Sequence, residues 1–148
     1  MLGKQSVQFT CKPYIISSGS IVGSKEAQGP MGKLFDKTGY DDMFGAKNWE
    51  DAESSLQKEA LEIALSKAKL VKDDLQIVFA GDLLGQSIAS SFGLAGYQVP
   101  HVGLYGACST CGLSLSMGGM AVAGGFVQKA GCITSSHFAS AEKEFRFP

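Results

Sequence analysis

The chain has 148 residues and a mass of 15.5 kDa, and a single compact fold of that size buries about 68–70% of its unfolded surface without disulfide or metal staples. Thirteen Lys and Arg against fourteen Asp and Glu exclude a disordered charged tail and give no electrostatic footprint for nucleic acid. Nineteen glycines are nearly twice the usual share of about 7%, with no Gly-X-Y period. Four cysteines are too few for a disulfide scaffold, and residues 1–9 hold no apolar signal core, so an intracellular, soluble chain is expected.

In chain order, residues 14–16 (Tyr-Ile-Ile) form a short β-favouring run, and residues 19–32 read as a loop. Residues 31–45 mix Asp36, Lys37, Asp41 and Asp42 with Phe35, Tyr40 and Phe44, the composition of a surface excursion anchored by aromatics. Asn48 then reads as an N-cap. Trp49, Ala52, Leu56, Ala60, Ile63 and Leu65 or Ala68 recur at helical spacing, with Glu and Lys opposite. Glu50, Asp51 and Glu53 at its start and Lys67 and Lys69 at its end suit the helix dipole.

Residues 75–80 form an unbroken apolar run, which predicts a strand buried on both faces of a parallel sheet. A helix over 83–96, a strand over 99–105, a helix over 109–125 and a strand over 130–134 complete the alternation, followed by a charged, solvated tail at 141–146. Strands and helices in this order predict right-handed βαβ units and a three-layer α/β domain.

Charge is absent from residues 83–128 apart from His101. Abundant Gly, Ala and Ser, interrupted by Pro100 and His101, argue against a membrane span there and for a core covered on all sides. The helix at 109–125 carries Gly112, Gly118, Gly119 and Gly124, each costing about 1 kcal/mol relative to Ala. Close helix–helix packing is the expected compensation.

The sharpest motif is Gly106-Ala107-Cys108-Ser109-Thr110-Cys111-Gly112. It places Cys108 at a strand-to-helix junction, where the helix N-terminus lowers a thiol pKa. A nucleophile or ligand contact is one reading, a redox pair with Cys111 another, and two small buried hydrophobes a third. Ser109 or Thr110 serves equally as a helix cap. Asp82 ends the strand at 75–80, where open α/β sheets place ligands, or caps the helix that follows. His137, after the strand at 130–134, projects at the same edge or sits in a surface loop. His101 belongs at the opposite end and is expected to be structural. No further ligands stand at zinc spacing.

These motifs resemble the stage V sporulation protein AD family of spore-forming bacteria. Gly-Pro-Met-Gly-Lys-Leu-Phe-Asp-Lys-Thr at 29–38 and Thr-Ser-Ser-His-Phe-Ala-Ser-Ala-Glu-Lys-Glu-Phe-Arg-Phe-Pro at 134–148 are its most specific segments, joined by Ala-Gly-Asp-Leu-Leu at 80–84 and Gly-Ala-Cys-Ser-Thr at 106–110. The resemblance implies a thiolase-like fold, an αβαβα sandwich of two pseudo-repeated halves, of which residues 1–148 form the incomplete first half. It implies dipicolinic acid (pyridine-2,6-dicarboxylate) as ligand, with calcium carried along with it, and partners in a channel complex at the spore inner membrane. Peripheral association from the forespore side and a homodimer through strand 99–105 follow from the same likeness. Cys108 falls where thiolase-like enzymes carry their nucleophile. Their second-half catalytic groups are expected to be missing here, so the likeness implies a binding protein whose site is Cys108, Ser109, Asp82, Ser136 and His137. Acyl transfer through a Cys108 thioester is the alternative.

Overall fold

Asn48 fixes the start of the longest element in the computed structural model, which describes residues 3–146. Its side-chain oxygen accepts the Asp51 amide N–H at 2.8 Å, and Lys69, at a left-handed φ of 56°, closes the other end. In chain order the elements are β1 (Ile21–Val22), α1 (Ser24–Ala27), β2 (Lys37–Thr38), α2 (Trp49–Ala68), β3 (Ile77–Gly81), α3 (Ile88–Gly93), β4 (His101–Gly103), α4 (Thr110–Ala123), β5 (Ala130–Thr134) and α5 (Lys143–Arg146). A π-helical turn, Phe138–Glu142, leads into α5.

The main sheet has the order β4-β3-β5 and is parallel throughout, as its alternation with helices requires. Val78 stands opposite both His101 and Gly131. Along β3 the side chains alternate between two covered faces. Val78 and Ala80, with Ile133 of β5, pack with Leu61 and Leu65 of α2 and with Leu94. Phe79 and Cys132 turn the other way, against Gly118 of α4. The architecture is therefore α/β in three layers, with a helix layer on each face of a parallel sheet.

Several elements depart from the sequence-based expectation for physical reasons. The helix expected over 83–96 shrinks to α3, because Gln86 and Ser87 take left-handed φ angles of 60° and 51° and turn the chain first. The strand expected over 99–105 is three residues long. Residues 14–16 stay outside any sheet, with Tyr14 and Ile15 83% and 76% exposed, because a strand needs a ladder partner. Residues 19–45, expected to be irregular, contain a two-residue parallel pairing of β1 with β2. The tail at 141–146 is helical, and Ala141 is buried.

The uncharged region is not covered on all sides by the described residues. Helix α4 turns a stripe of Thr110, Ser114 and Gly118 inward, while Leu115, Met117, Met120 and, just beyond it, Phe126 are exposed. Its glycines compensate through helix–sheet rather than helix–helix approach, and only in part. A Cβ on Gly118 would lie 2.4 Å from the Cys132 sulfur, whereas one on Gly112 would meet nothing within 4 Å.

The tightest backbone approach in this sheet is at Gly81, where an added Cβ would lie 2.2 Å from the Leu104 carbonyl oxygen and 2.6 Å from Thr110 Cγ2. Gly81→Ala is expected to destabilise the chain by about 1–3 kcal/mol through overpacking, and Gly112→Ala to stabilise it by up to about 1 kcal/mol through helix propensity. Thermal unfolding of the two variants measures both. A neutral Gly81→Ala would mean that β3 and the segment after β4 are farther apart than described.

Candidate functional site

Because β3, β4 and β5 run parallel, their carboxyl ends deliver three segments to one edge of the sheet: 82–87, 104–109 and 135–140. Ligands of open α/β sheets bind at such an edge. Gly81 lies between the segments, with Leu104 and Thr110 against its α-carbon and its carbonyl accepting the Ser135 amide at 3.2 Å.

Beneath this edge runs a buried polar network that starts on α2. The amide nitrogen of Gln57, a residue 1% exposed, shares its two N–H groups among three acceptors, the Gly81 carbonyl at 3.2 Å, Ser90 Oγ at 3.0 Å and Ser135 Oγ at 2.8 Å, while its side-chain oxygen has no hydrogen-bond partner among the described residues. Each serine passes the chain on to a carboxylate. Ser90 Oγ donates to Asp82 Oδ2 at 2.6 Å, and Ser135 Oγ donates to Glu53 Oε1 at 2.7 Å. Ser140 Oγ donates to the second oxygen of Glu53 at 2.6 Å. Glu53 and Asp82 are both fully buried.

Asp82 spends both oxygens on the fold. Oδ1 accepts the Leu84 amide at 2.9 Å, and Oδ2 accepts the Ser90 amide at 2.8 Å as well as its hydroxyl. It thus caps α3 from eight residues upstream, satisfying an N-terminal amide that Ser87, whose side chain makes no capping bond, leaves open. His137 is 6% exposed. Its Nδ1 accepts the Ser140 amide at 3.3 Å, which places the ring proton on Nε2, 2.7 Å from the Asp42 carbonyl. Trp49 lies across the ring at 5.6 Å and Phe44 meets it edge-on at 6.4 Å, so the aromatics of the 31–45 excursion and of the α2 start enclose it.

The site residues open to solvent are Cys108, Ser109 and Ser136. Cys108 occupies a 3₁₀ turn, Ala107–Ser109, whose first residue has a φ of 48°, an uncommon angle for alanine. Neither neighbouring hydroxyl caps α4. Ser109 Oγ donates back to the Gly106 carbonyl at 2.6 Å, and Thr110 Oγ1 accepts the Gly106 amide at 3.1 Å. Ser136 Oγ donates to Glu142. All four cysteines are free thiols. Burial pushes the Cys132 thiol up, aided by the nearby Cys111. His101 is half-buried, burial lowers its pKa against the pull of Asp82, and its Nε2 has no hydrogen-bond partner among the described residues. Among those residues no three His, Cys, Asp or Glu side chains are grouped to hold a metal ion.

Sequence reasoning missed Glu53, Gln57, Ser90, Ser135 and Ser140. Glu53 and Gln57 were legible only as the continuation of the Leu65–Leu61 row at four-residue spacing.

The sequence profile of the stage V sporulation protein AD family matches residues 3–148. The chain belongs to this family. Stage V sporulation protein AD of Bacillus subtilis (strain 168) is 41% identical over 149 residues, a match covering 100% of this chain and 44% of that protein. The chain therefore spans less than half the length of that relative. Membership makes it a sporulation protein by family, and the motifs at 29–38 and 134–148 lie within the matched region.

Burial pushes the Glu53 carboxyl above its ordinary value, opposed by the Ser140 and Ser135 hydroxyls and by His137, and reinforced by Asp82. A raised value in the folded state means that the native chain holds this proton more tightly than the unfolded one. The stability that Glu53 contributes is then full below the unfolded glutamate value and lost as pH rises through the folded value. The melting temperature of the wild type is expected to fall across that window relative to Glu53→Gln. Parallel pH profiles for the two would remove the linkage.

Proposed function

We propose that this family member binds dipicolinate at the carboxyl edge of the sheet and acts without catalysis in the movement of dipicolinate and its calcium chelate during sporulation and germination. The observation that carries the reading is the placement of Cys108: exposed, after a strained Ala107, at the head of a fourteen-residue helix that no side chain caps. Dipicolinate is a planar dianion. The first-turn amides and the positive dipole end of α4 suit it without a lysine, and the loop carrying Ser136 and His137 borders the same edge. Asp82, fully buried with both oxygens engaged by Leu84 and Ser90, serves as scaffold, so calcium enters with the ligand's own carboxylates. Partners are the other proteins of a channel complex at the spore inner membrane, which the protein meets peripherally. Among the described residues no helix is long and apolar enough to cross a membrane. Strand β4, at one edge of the sheet, offers its free side to a second subunit.

Titration of the full-length protein with dipicolinate is expected to give binding that weakens about tenfold in Cys108→Ala, the scale of one lost polar contact to a charged group, and that also weakens in His137→Ala, whose buried ring holds the loop that carries Ser136. Unchanged affinity in both variants would remove these residues from the site. The exposed Cys108 also favours a second reading, acyl transfer, in which its thiolate displaces coenzyme A from an acyl thioester. Mass spectrometry after incubation with acyl-coenzyme A separates the two. A stable acyl adduct on Cys108 would favour the enzyme.

A further inference from the structure

Glu53 is a buried titratable group that ligand binding as described does not use. Its oxygens accept the hydroxyls of Ser135 and Ser140, the residues that bracket Ser136 and His137 in the chain. As a carboxylate, Glu53 accepts from both. As a carboxylic acid it must donate one bond itself. Ser140 is built to allow this, because its hydroxyl has a second acceptor, the His137 carbonyl, at 3.2 Å. It can turn to that carbonyl and receive the Glu53 proton, while Ser135, accepting from Gln57 at 2.8 Å, keeps its own proton on Glu53. Both oxygens of Glu53 therefore keep a hydrogen bond in either protonation state, and the two states differ in what holds the turn entered at His137. The charged or titratable groups around Glu53 are Asp82 at the end of β3, which disfavours its ionisation, and His137 after β5, which favours it. Glu142 on the π turn accepts from Ser136, Cys132 lies on β5, and α3 carries no titratable side chain.

We propose that Glu53 is the positioning residue of this site, setting through Ser135 and Ser140 where Ser136 and His137 stand, and that its protonation resets that position. The connection to dipicolinate rests on the function proposed above; the positioning itself does not.

The chain carries its own probe. Trp49 is its single tryptophan and lies 5.6 Å from the His137 ring. Its emission, followed against pH without ligand, is expected to show a transition above the ordinary glutamate range that disappears in Glu53→Gln and is displaced in Ser140→Ala. A wild-type profile reproduced by Glu53→Gln overturns the proposal. If that variant fails to fold by far-ultraviolet circular dichroism, Ser140→Ala decides, and an unchanged profile there overturns it. In the full-length protein, Glu53→Gln is expected to weaken dipicolinate binding about tenfold and to remove the pH dependence that this carboxyl imposes. Equal affinity and an equal pH profile would again refute the positioning role. Absence of dipicolinate binding by the wild type, with a Trp49 transition that follows Glu53, would refute the ligand and uphold the positioning.

Discussion

The side-chain amide of Gln57 is the point on which the carboxyl edge of this fold depends. It enters the core from the middle of α2 and is met by three oxygens, from the end of β3, the start of α3 and the end of β5. Each has its own onward bond, and together they fix the relative register of those elements. Leaving a buried donor or acceptor unpaired costs about 1–3 kcal/mol, so a shift of α2 along its axis would break several such bonds together. Apolar contacts between Leu61, Leu65, Val78 and Leu94 supply much of the attraction between the layers. They are nearly indifferent to small sliding, and the polar network is not.

Energy and specificity are accordingly separated in space. The apolar cluster lies beside the middle of the sheet, where β3 presents Val78 and Ala80. Toward the carboxyl end the buried side chains become Asp82, Ser90, Glu53 and Gln57. A polar end to a parallel sheet costs desolvation, and the cost is offset only because each carboxylate ends a chain of donors. Gly81 makes the arrangement fit sterically. Its missing side chain lets the segment after β4 and the first residue of α4 close on β3, so that three loops reach one place.

What was legible in the sequence was what local chemistry decides. The Asn48 cap and the span of α2 followed from capping and composition, and β5 matched its apolar run from Ala130 to Thr134. The family likeness carried by residues 29–38 and 134–148 was legible as well. The buried face of α2 was legible only in part. Of the apolar row Trp49, Ala52, Leu56, Ala60, Ile63 and Leu65 or Ala68, Ala52 and Leu65 are buried, yet the row that runs through the core is Glu53, Gln57, Leu61 and Leu65, half of it polar. Hydrophobic periodicity cannot register a polar group whose partners lie tens of residues away. The same limit hid the surroundings of His137, whose ring partners Phe44 and Trp49 come from another part of the chain. Gln86 and Ser87 take left-handed conformations without being glycine, so no residue type announced the break that shortened α3.

Helix α4 shows how the exposed part of the site inherits its precision. Its inward stripe is Thr110, Ser114 and Gly118, small residues that bury little area, and its large side chains face outward. At roughly 25 cal/mol per Å² of buried apolar surface, so thin a stripe holds the helix weakly by area alone. What it provides is close approach, with Gly118 against Phe79 and Cys132 at one end and Thr110 against Gly81 at the other. An added Cβ at either glycine would clash, with Cys132 at Gly118 and with Thr110 at Gly81, so the close approach fixes a position sharply even where it contributes little total energy. Cys108 and Ser109 immediately precede Thr110. Their place is therefore tied to the backbone of β3 by one side chain resting on one glycine, and the Gln57 amide donates to that glycine's carbonyl. The exposed thiol and the buried carboxylates thus share a fixed point, although no hydrogen bond needs to join them.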